Sequence, residues 1–313
     1  MTELALAVAP RTPARPGPGR VPETALRALD LHVRRRIDGV LAGDHRAASL
    51  GIALELAQVR PYQPGDDVRL IDWNTTARMA EPHVRLHVAE RALSTWIVLD
   101  GSASMGFGTD LRRKADVAEG VVLAVGHVAS RRGNRLGLLA FGGTETVVVP
   151  PRQGRVGLIG VLLRLHDAAA EPERPPAGAT SLGDVLAHAG QLVRERSLLA
   201  VVTDLRGPRD WDGRLRELSV RHDVVVVEIR DRAEDAIPDI GEVVLVDPET
   251  GRQLRVDTSR RGLRERYAEA AAAERAQAVG AVRSAGADHL LLSTGDDWLR
   301  PLVAGLANRP LRR

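Results

Sequence analysis

Residues 91–313 predict an α/β domain, a doubly wound and mostly parallel sheet with helices on both faces, and residues 21–90 predict a small N-terminal α+β subdomain. Three observations carry this. Thr95-Trp96-Ile97-Val98-Leu99, Leu136–Phe141, Leu198–Val202, Val224–Ile229 and His289–Leu292 are nearly continuous apolar runs, the pattern of strands buried on both faces. Amphipathic helical segments separate them. Residues 51–90 break that rhythm, with short β-like pieces near Leu54–Val59 and Val84–Val88 around a turn at Pro64-Gly65-Asp66.

Taken in order, residues 1–20 carry Pro10, Pro13, Pro16 and Pro18 among arginines and glycines, which predicts a disordered tail. From Pro22 to Leu41 the set Leu26, Leu29, Val33, Ile37 and Val40 recurs at helical spacing, and Gly43 ends it. After the first long strand, Leu111, Ala115, Ala118, Val122, Val125 and Ala129 share one helical face. Leu136–Phe141 pairs with Thr146–Val149 as a hairpin. Further helices are predicted near 155–166, 181–195, 211–221 and 260–284, a turn at Asp247–Gly251, and a short helix at the end.

Composition excludes several functions. The 313 residues are 44% hydrophobic and 27% charged, with a formal charge of +3, so a full core is possible and no strong electrostatic pull on nucleic acid is present. Only eight residues are aromatic, too few for a base-stacking surface. The absence of cysteine removes disulfides, thiol nucleophiles and cysteine metal sites. Lys114 is the sole lysine among 44 basic residues, and it does not follow a glycine-rich phosphate loop. No apolar run reaches the roughly 20 residues of a membrane helix, and Met1-Thr2-Glu3-Leu4 begins no secretory signal. These features predict a cytoplasmic protein with no membrane span and no nucleic-acid partner.

In open α/β sheets, sites form at the carboxyl ends of strands. The first long strand ends in Asp100-Gly101-Ser102-Ala103-Ser104, which puts three oxygen-bearing side chains in one tight loop. Thr180 precedes Ser181-Leu182-Gly183-Asp184, a capping pattern that opens a helix, and Asp204 ends the apolar run from Leu198. Asp100, Ser102, Ser104, Thr180 and Asp204 together predict an oxygen-rich pocket of the kind hard divalent cations prefer.

This set, in this order, resembles the metal-ion-dependent adhesion site of von Willebrand factor A domains, and the α/β pattern from 91 to 313 is similar to their Rossmann-like fold. Upstream, Tyr62-Gln63-Pro64-Gly65-Asp66-Asp67-Val68-Arg69-Leu70-Ile71-Asp72-Trp73-Asn74 and the following Thr75-Thr76-Ala77-Arg78 resemble the defining motif of domain-of-unknown-function family 58, bacterial proteins that place it ahead of an A-type domain. The resemblance implies that Ser102, Ser104 and Thr180 supply hydroxyls to a Mg²⁺, with Mn²⁺ as a substitute, and that Asp100 and Asp204 act mostly through bound waters. It implies a protein-binding adaptor that captures an Asp or Glu of a partner, working with a MoxR-type AAA+ ATPase in protein maturation or remodelling. Two other readings stay open: metal-assisted hydrolysis or phosphoryl transfer at the same strand ends, and an ion with only a structural role.

Two further features have plainer readings. Asp66, Asp67, Arg69, Asp72 and Arg78 predict turn residues and ion pairs that dock the small subdomain, with Trp73 as an anchor. His83 and His87 lie four apart in a strand-like stretch, too separated to share a metal, and predict a solvated face.

Overall fold

The sheet is built from the runs that predicted it. The computed structural model describes residues 17–19, 21–22, 24, 27, 56–64, 66–87, 94–130, 134–143, 145–170, 181–247, 251–295 and 297–307. They divide into a larger unit (Met1–Val40 with Leu93–Arg312) and a smaller one centred on Leu41–Ala92.

In the smaller unit β1 (Leu56–Pro61) pairs antiparallel with β2 (His83–His87). Between them lie a 3-10 turn, Val68–Leu70, and a short helix α1 (Trp73–Met79). The acidic residues of this segment hold its turns. Asp66 Oδ2 accepts from the Gln63 N–H at 2.8 Å, Asp67 is paired with Arg69, and Asp72 Oδ1 caps α1 by accepting from the Asn74 and Thr75 N–H groups. The side chain of Trp73 is 71% exposed. His83 corrects its expected place on a solvated face: it is buried, and its Nδ1 bonds the Glu81 carbonyl at 2.7 Å. The side chain of His87 and most of the helix expected over Pro22–Leu41 lie outside the described residues.

In the larger unit the strands are β3 (Ser94–Asp100), β4 (Arg135–Phe141), β5 (Val147–Gln153), β6 (Leu198–Thr203), β7 (Asp223–Arg230) and β10 (Asp288–Ser293). They lie in the order β10-β7-β6-β3-β4-β5, parallel throughout except for β5, which closes one edge as the antiparallel half of a hairpin with β4. β3 and β6 are buried along their whole length, as unalternated apolar strands must be. The helices are α2 (Lys114–Ser130), α3 (Gly154–Ala170), α4 (Leu182–Leu192), α5 (Asp212–Arg221), α6 (Arg261–Ser284) and α7 (Leu299–Ala307). Trp96, Val98, Leu139, Val201, Val226, Leu186, Trp211, Leu215, Leu218 and Val282 join β3, β4, β6 and β7 to α4, α5 and α6 in one core.

Two expectations needed adjustment. Leu111 is exposed and precedes α2 instead of joining its apolar face. The Asp247–Gly251 turn connects two strands that the sequence pattern did not show, β8 (Glu242–Val246) and β9 (Gln253–Asp257), which form a separate antiparallel pair. Pro18, inside the segment expected to be a disordered tail, accepts a hydrogen bond from Trp298 Nε1 at 3.1 Å.

Candidate metal centre at the sheet switch point

β3 is the first strand of the larger unit and sits between β4, the next in sequence, and β6. The chain winds outward in opposite directions on the two sides of β3, so the crevice above the carboxyl ends of β3 and β6 is the topological switch point of the sheet. Asp100 is the last residue of β3 and Asp204 follows the last residue of β6.

The loop after β3 is shaped by backbone contacts before any side chain acts. The Gly101 N–H donates to the Phe141 carbonyl at 2.7 Å, carrying the β3–β4 ladder one residue past the strand. Gly142 stands beside it at φ 86°, and a Cβ there would overlap the backbone of Ser102. Asp100 Oδ1 accepts from the Ser102 N–H at 2.9 Å, and the chain turns into a 3-10 segment, Ala103–Gly106. This brings the Ser102 and Ser104 hydroxyl oxygens to 3.0 Å from each other. Ser102 is half-buried, Ser104 is buried, and Gly101 is exposed at the rim.

The β6 side mirrors this economy. Thr203 Oγ1 donates to Asp100 Oδ2 at 2.6 Å and accepts from the Leu205 N–H at 3.1 Å, stitching the ends of β3 and β6 together. Leu205 occupies the left-handed region at φ 56°, which a residue with a branched side chain adopts only when its surroundings hold it there. Asp204 Oδ1 accepts from the Arg206 N–H at 2.9 Å, and Asp204 Oδ2 accepts from Lys114 Nζ at 2.6 Å.

Asp100 is 6% exposed, and its carboxyl is pushed up from the ordinary 3.8 to about 6. Burial is the main cause, the Asp204 charge adds to it, and the hydrogen bonds from Ser102 and Thr203 oppose it. Lys114 pairs with Asp204, and among the described residues no basic side chain bonds Asp100.

These residues fit a hard cation. Neighbouring oxygens around an octahedral Mg²⁺ at its usual ~2.1 Å bond length stand about 3 Å apart, the spacing of the Ser102 and Ser104 hydroxyls. The elevated Asp100 carboxyl is the companion such an ion would relieve. Among the described residues no three His, Asp or Glu side chains cluster in a way that could hold a metal, so a centre here depends on hydroxyls. Thr180, the fifth residue predicted, lies outside the described residues. Its neighbour Ser181 caps α4 through the Asp184 N–H at 3.1 Å, as the capping pattern predicts.

The profile of "Protein of unknown function DUF58" matches residues 58–277. The chain belongs to the DUF58 family. Uncharacterized proteins of Mycobacterium tuberculosis (Rv1480) and Mycobacterium bovis (Mb1516) are each 39% identical to this DUF58 chain over 287 residues, spanning 91% of it and 89% of their own length. Among solved structures, the conserved hypothetical protein BatB of Bacteroides thetaiotaomicron is similar at 14% identity and TM-score 0.42, over 68% of this chain and 97% of that one. The SpRpn10 VWA domain is similar at 13% identity and TM-score 0.38, over 71% and 100%.

Sequence reasoning missed four residues of the candidate site. Thr203 was read only as part of an apolar strand, yet it joins Asp100 to the β6 end. In the sequence Lys114 serves only to exclude a phosphate loop, yet its ammonium bonds Asp204 and Glu234. Glu234 and Asp231 complete the surroundings: Glu234 Oε2 accepts from the Asp231 N–H at 3.0 Å. The one available signal was rarity, a single lysine where arginine is otherwise universal.

Proposed function

We propose that this protein is a metal-dependent protein-binding adaptor that recognises an acidic side chain of a partner at the carboxyl ends of β3 and β6. The observation that carries the reading is the pair of hydroxyls 3.0 Å apart beside a buried carboxyl raised to about 6, at the switch point and open at Gly101. Ser102 and Ser104 would hold a Mg²⁺, or Mn²⁺, directly, with Thr180 completing the hydroxyl set and Asp100 and Asp204 orienting bound water. When bound, the ion supplies an open coordination position for a carboxylate, because neutral hydroxyls leave its charge largely uncancelled. Asp100 is held in place from both oxygens, by the Ser102 N–H and the Thr203 hydroxyl, which favours a positioning role over that of a nucleophile. Membership of DUF58 and the resemblance to A-type domains support a MoxR-type AAA+ ATPase as the partner. Among the described residues no helix is long and apolar enough to cross a membrane.

The test is retention of a purified MoxR-type ATPase on the immobilised full chain in Mg²⁺, in excess chelator, and with Asp100→Ala or Thr180→Ala. Binding is expected in Mg²⁺ only and to be lost in both variants. Full retention in chelator and in Asp100→Ala would overturn the adaptor mechanism.

A further inference from the structure

Lys114 begins α2, where the positive end of the helix dipole disfavours an ammonium, so the helix does not account for its place. Its side chain is fully buried, with Nζ 2.6 Å from Asp204 Oδ2 and 2.7 Å from Glu234 Oε1. A buried cation persists only when carboxylates surround it. Every other basic residue of the chain is arginine, 43 of the 44. A planar guanidinium needs a wide fork of acceptors, whereas a compact ammonium fits between two carboxylates approaching from different loops. The exception therefore stands where ammonium geometry is required.

We propose that Lys114 is an internal counter-ion of the site, neutralising Asp204 and thereby holding the divalent-ion affinity of the Ser102–Ser104 pocket low. The proposal rests on the metal-centre reading above and adds what limits it. With the Asp204 carboxylate matched by Lys114 at 2.6 Å, the negative charge that Asp204 can offer an ion is already committed. An ion entering beside Ser102 and Ser104 meets a fixed positive charge on the far side of Asp204. The negative charge that favours its retention comes from outside, from the acidic group of the partner, so ion and partner bind as a pair. Glu234 holds the ammonium on its other side at 2.7 Å, and Arg206, 3.9 Å from the same Glu234 oxygen, offsets part of that carboxylate's charge.

The test is calorimetric titration of the full chain with MgCl₂ and MnCl₂ at fixed ionic strength, comparing wild type, Lys114→Met, and Lys114→Met combined with Glu234→Gln. The double variant removes one acid with the ammonium, so the fold is not left with two unmatched buried carboxylates. Affinity is expected to rise about tenfold or more in the variants, the effect of deleting a nearby like charge in a poorly solvated site. A purely structural lysine would leave affinity unchanged or lower it. Wild type that binds Mg²⁺ with variants binding no tighter overturns the counter-ion role and leaves the metal reading standing. Variants that bind where wild type does not support the counter-ion role, with the native protein retaining the ion only together with its acidic partner. No binding by any of them overturns both. A second readout needs no variant: ¹⁵N-lysine labelling yields one side-chain ammonium resonance, and Mg²⁺ must shift it with the calorimetric midpoint. An unmoved resonance during Mg²⁺ binding places the ion away from Lys114 and overturns the proposal.

Discussion

Asp100 and Asp231 occupy equivalent places in the sheet and behave in opposite ways. Asp100 is the last residue of β3, and Asp231 directly follows β7. Both are buried, at 6% and 0% exposure, and both accept hydrogen bonds from threonine hydroxyls. Yet the Asp100 carboxyl is raised to about 6, and that of Asp231 is lowered below its ordinary value. Burial raises both. At Asp231 it is outweighed by the Thr109 hydroxyl at 2.6 Å, the Thr294 hydroxyl at 2.7 Å and the Thr109 and Ala233 N–H groups. At Asp100 the donors among the described residues are fewer and the Asp204 charge is close. Saturation with fixed donors makes a carboxylate a structural tie between loops. A deficit of donors beside a second acid leaves one that gains from a cation.

The largest test of this contrast applies one substitution to both sites. Each Asp231 oxygen faces a backbone N–H, Ala233 on one side and Thr109 on the other, so an amide in either flip sets an NH₂ against a donor. Asp231→Asn is expected to cost about 2–4 kcal/mol of unfolding free energy by denaturant titration. Asp100→Asn is expected to change stability by about 1 kcal/mol or less, because its amide group can face the Thr203 oxygen, which has a second lone pair beside the one that accepts from the Leu205 N–H. Equal costs would erase the distinction.

Next in size is Gly142→Ala, which touches neither carboxylate but drives a Cβ into the Ser102 backbone and places alanine at φ 86°. A loss of about 1–3 kcal/mol is expected, together with weaker divalent binding. Unchanged Mg²⁺ affinity in the folded variant would show that the Ser102 loop does not form the ion's site.

A smaller effect sharpens the contrast by pH. The folded Asp100 carboxyl titrates near 6 and the unfolded one near 3.8, so the native state binds the extra proton between those values. Its contribution favours folding at low pH and is lost as pH rises through about 6. Between pH 7 and pH 5, wild type should gain about 1 kcal/mol relative to Asp100→Asn. Asp231, with its lowered value, should show no such gain there. The smallest signal is spectroscopic. His222, its ring nitrogens without a hydrogen-bond partner among the described residues, is held down to about 4 by burial first and then by Arg221 and Arg196. Its NMR titration should be absent near pH 6.5, and any stability it contributes disappears as pH falls from 6.5 toward 4.

Much of the fold was legible because buried parallel strands announce themselves. The apolar runs that became β3, β4, β6, β7 and β10 needed no partner to be recognised, and the Ser181 cap followed from a four-residue pattern, Ser181 to Asp184. The β8–β9 hairpin was not legible: Val244, Leu245, Val246 and Leu254 are all exposed, so no burial imposes a periodic pattern on the sequence. α1 escaped notice because a helix of seven residues with no buried face depends on its Asp72 cap more than on periodicity.

At the site, the sequence by itself determined the identity of the acids and hydroxyls and the strand ends that carry them, since spacing within a short loop is a local property of the chain. The tertiary structure decided how those groups are charged and held. Thr203 meets Asp100 across 103 positions of sequence, Lys114 meets Asp204 across 90, and Thr109 meets Asp231 across 122. Electrostatic balance in a buried site depends on distance in space and on the loss of solvent, and neither is written in the order of residues.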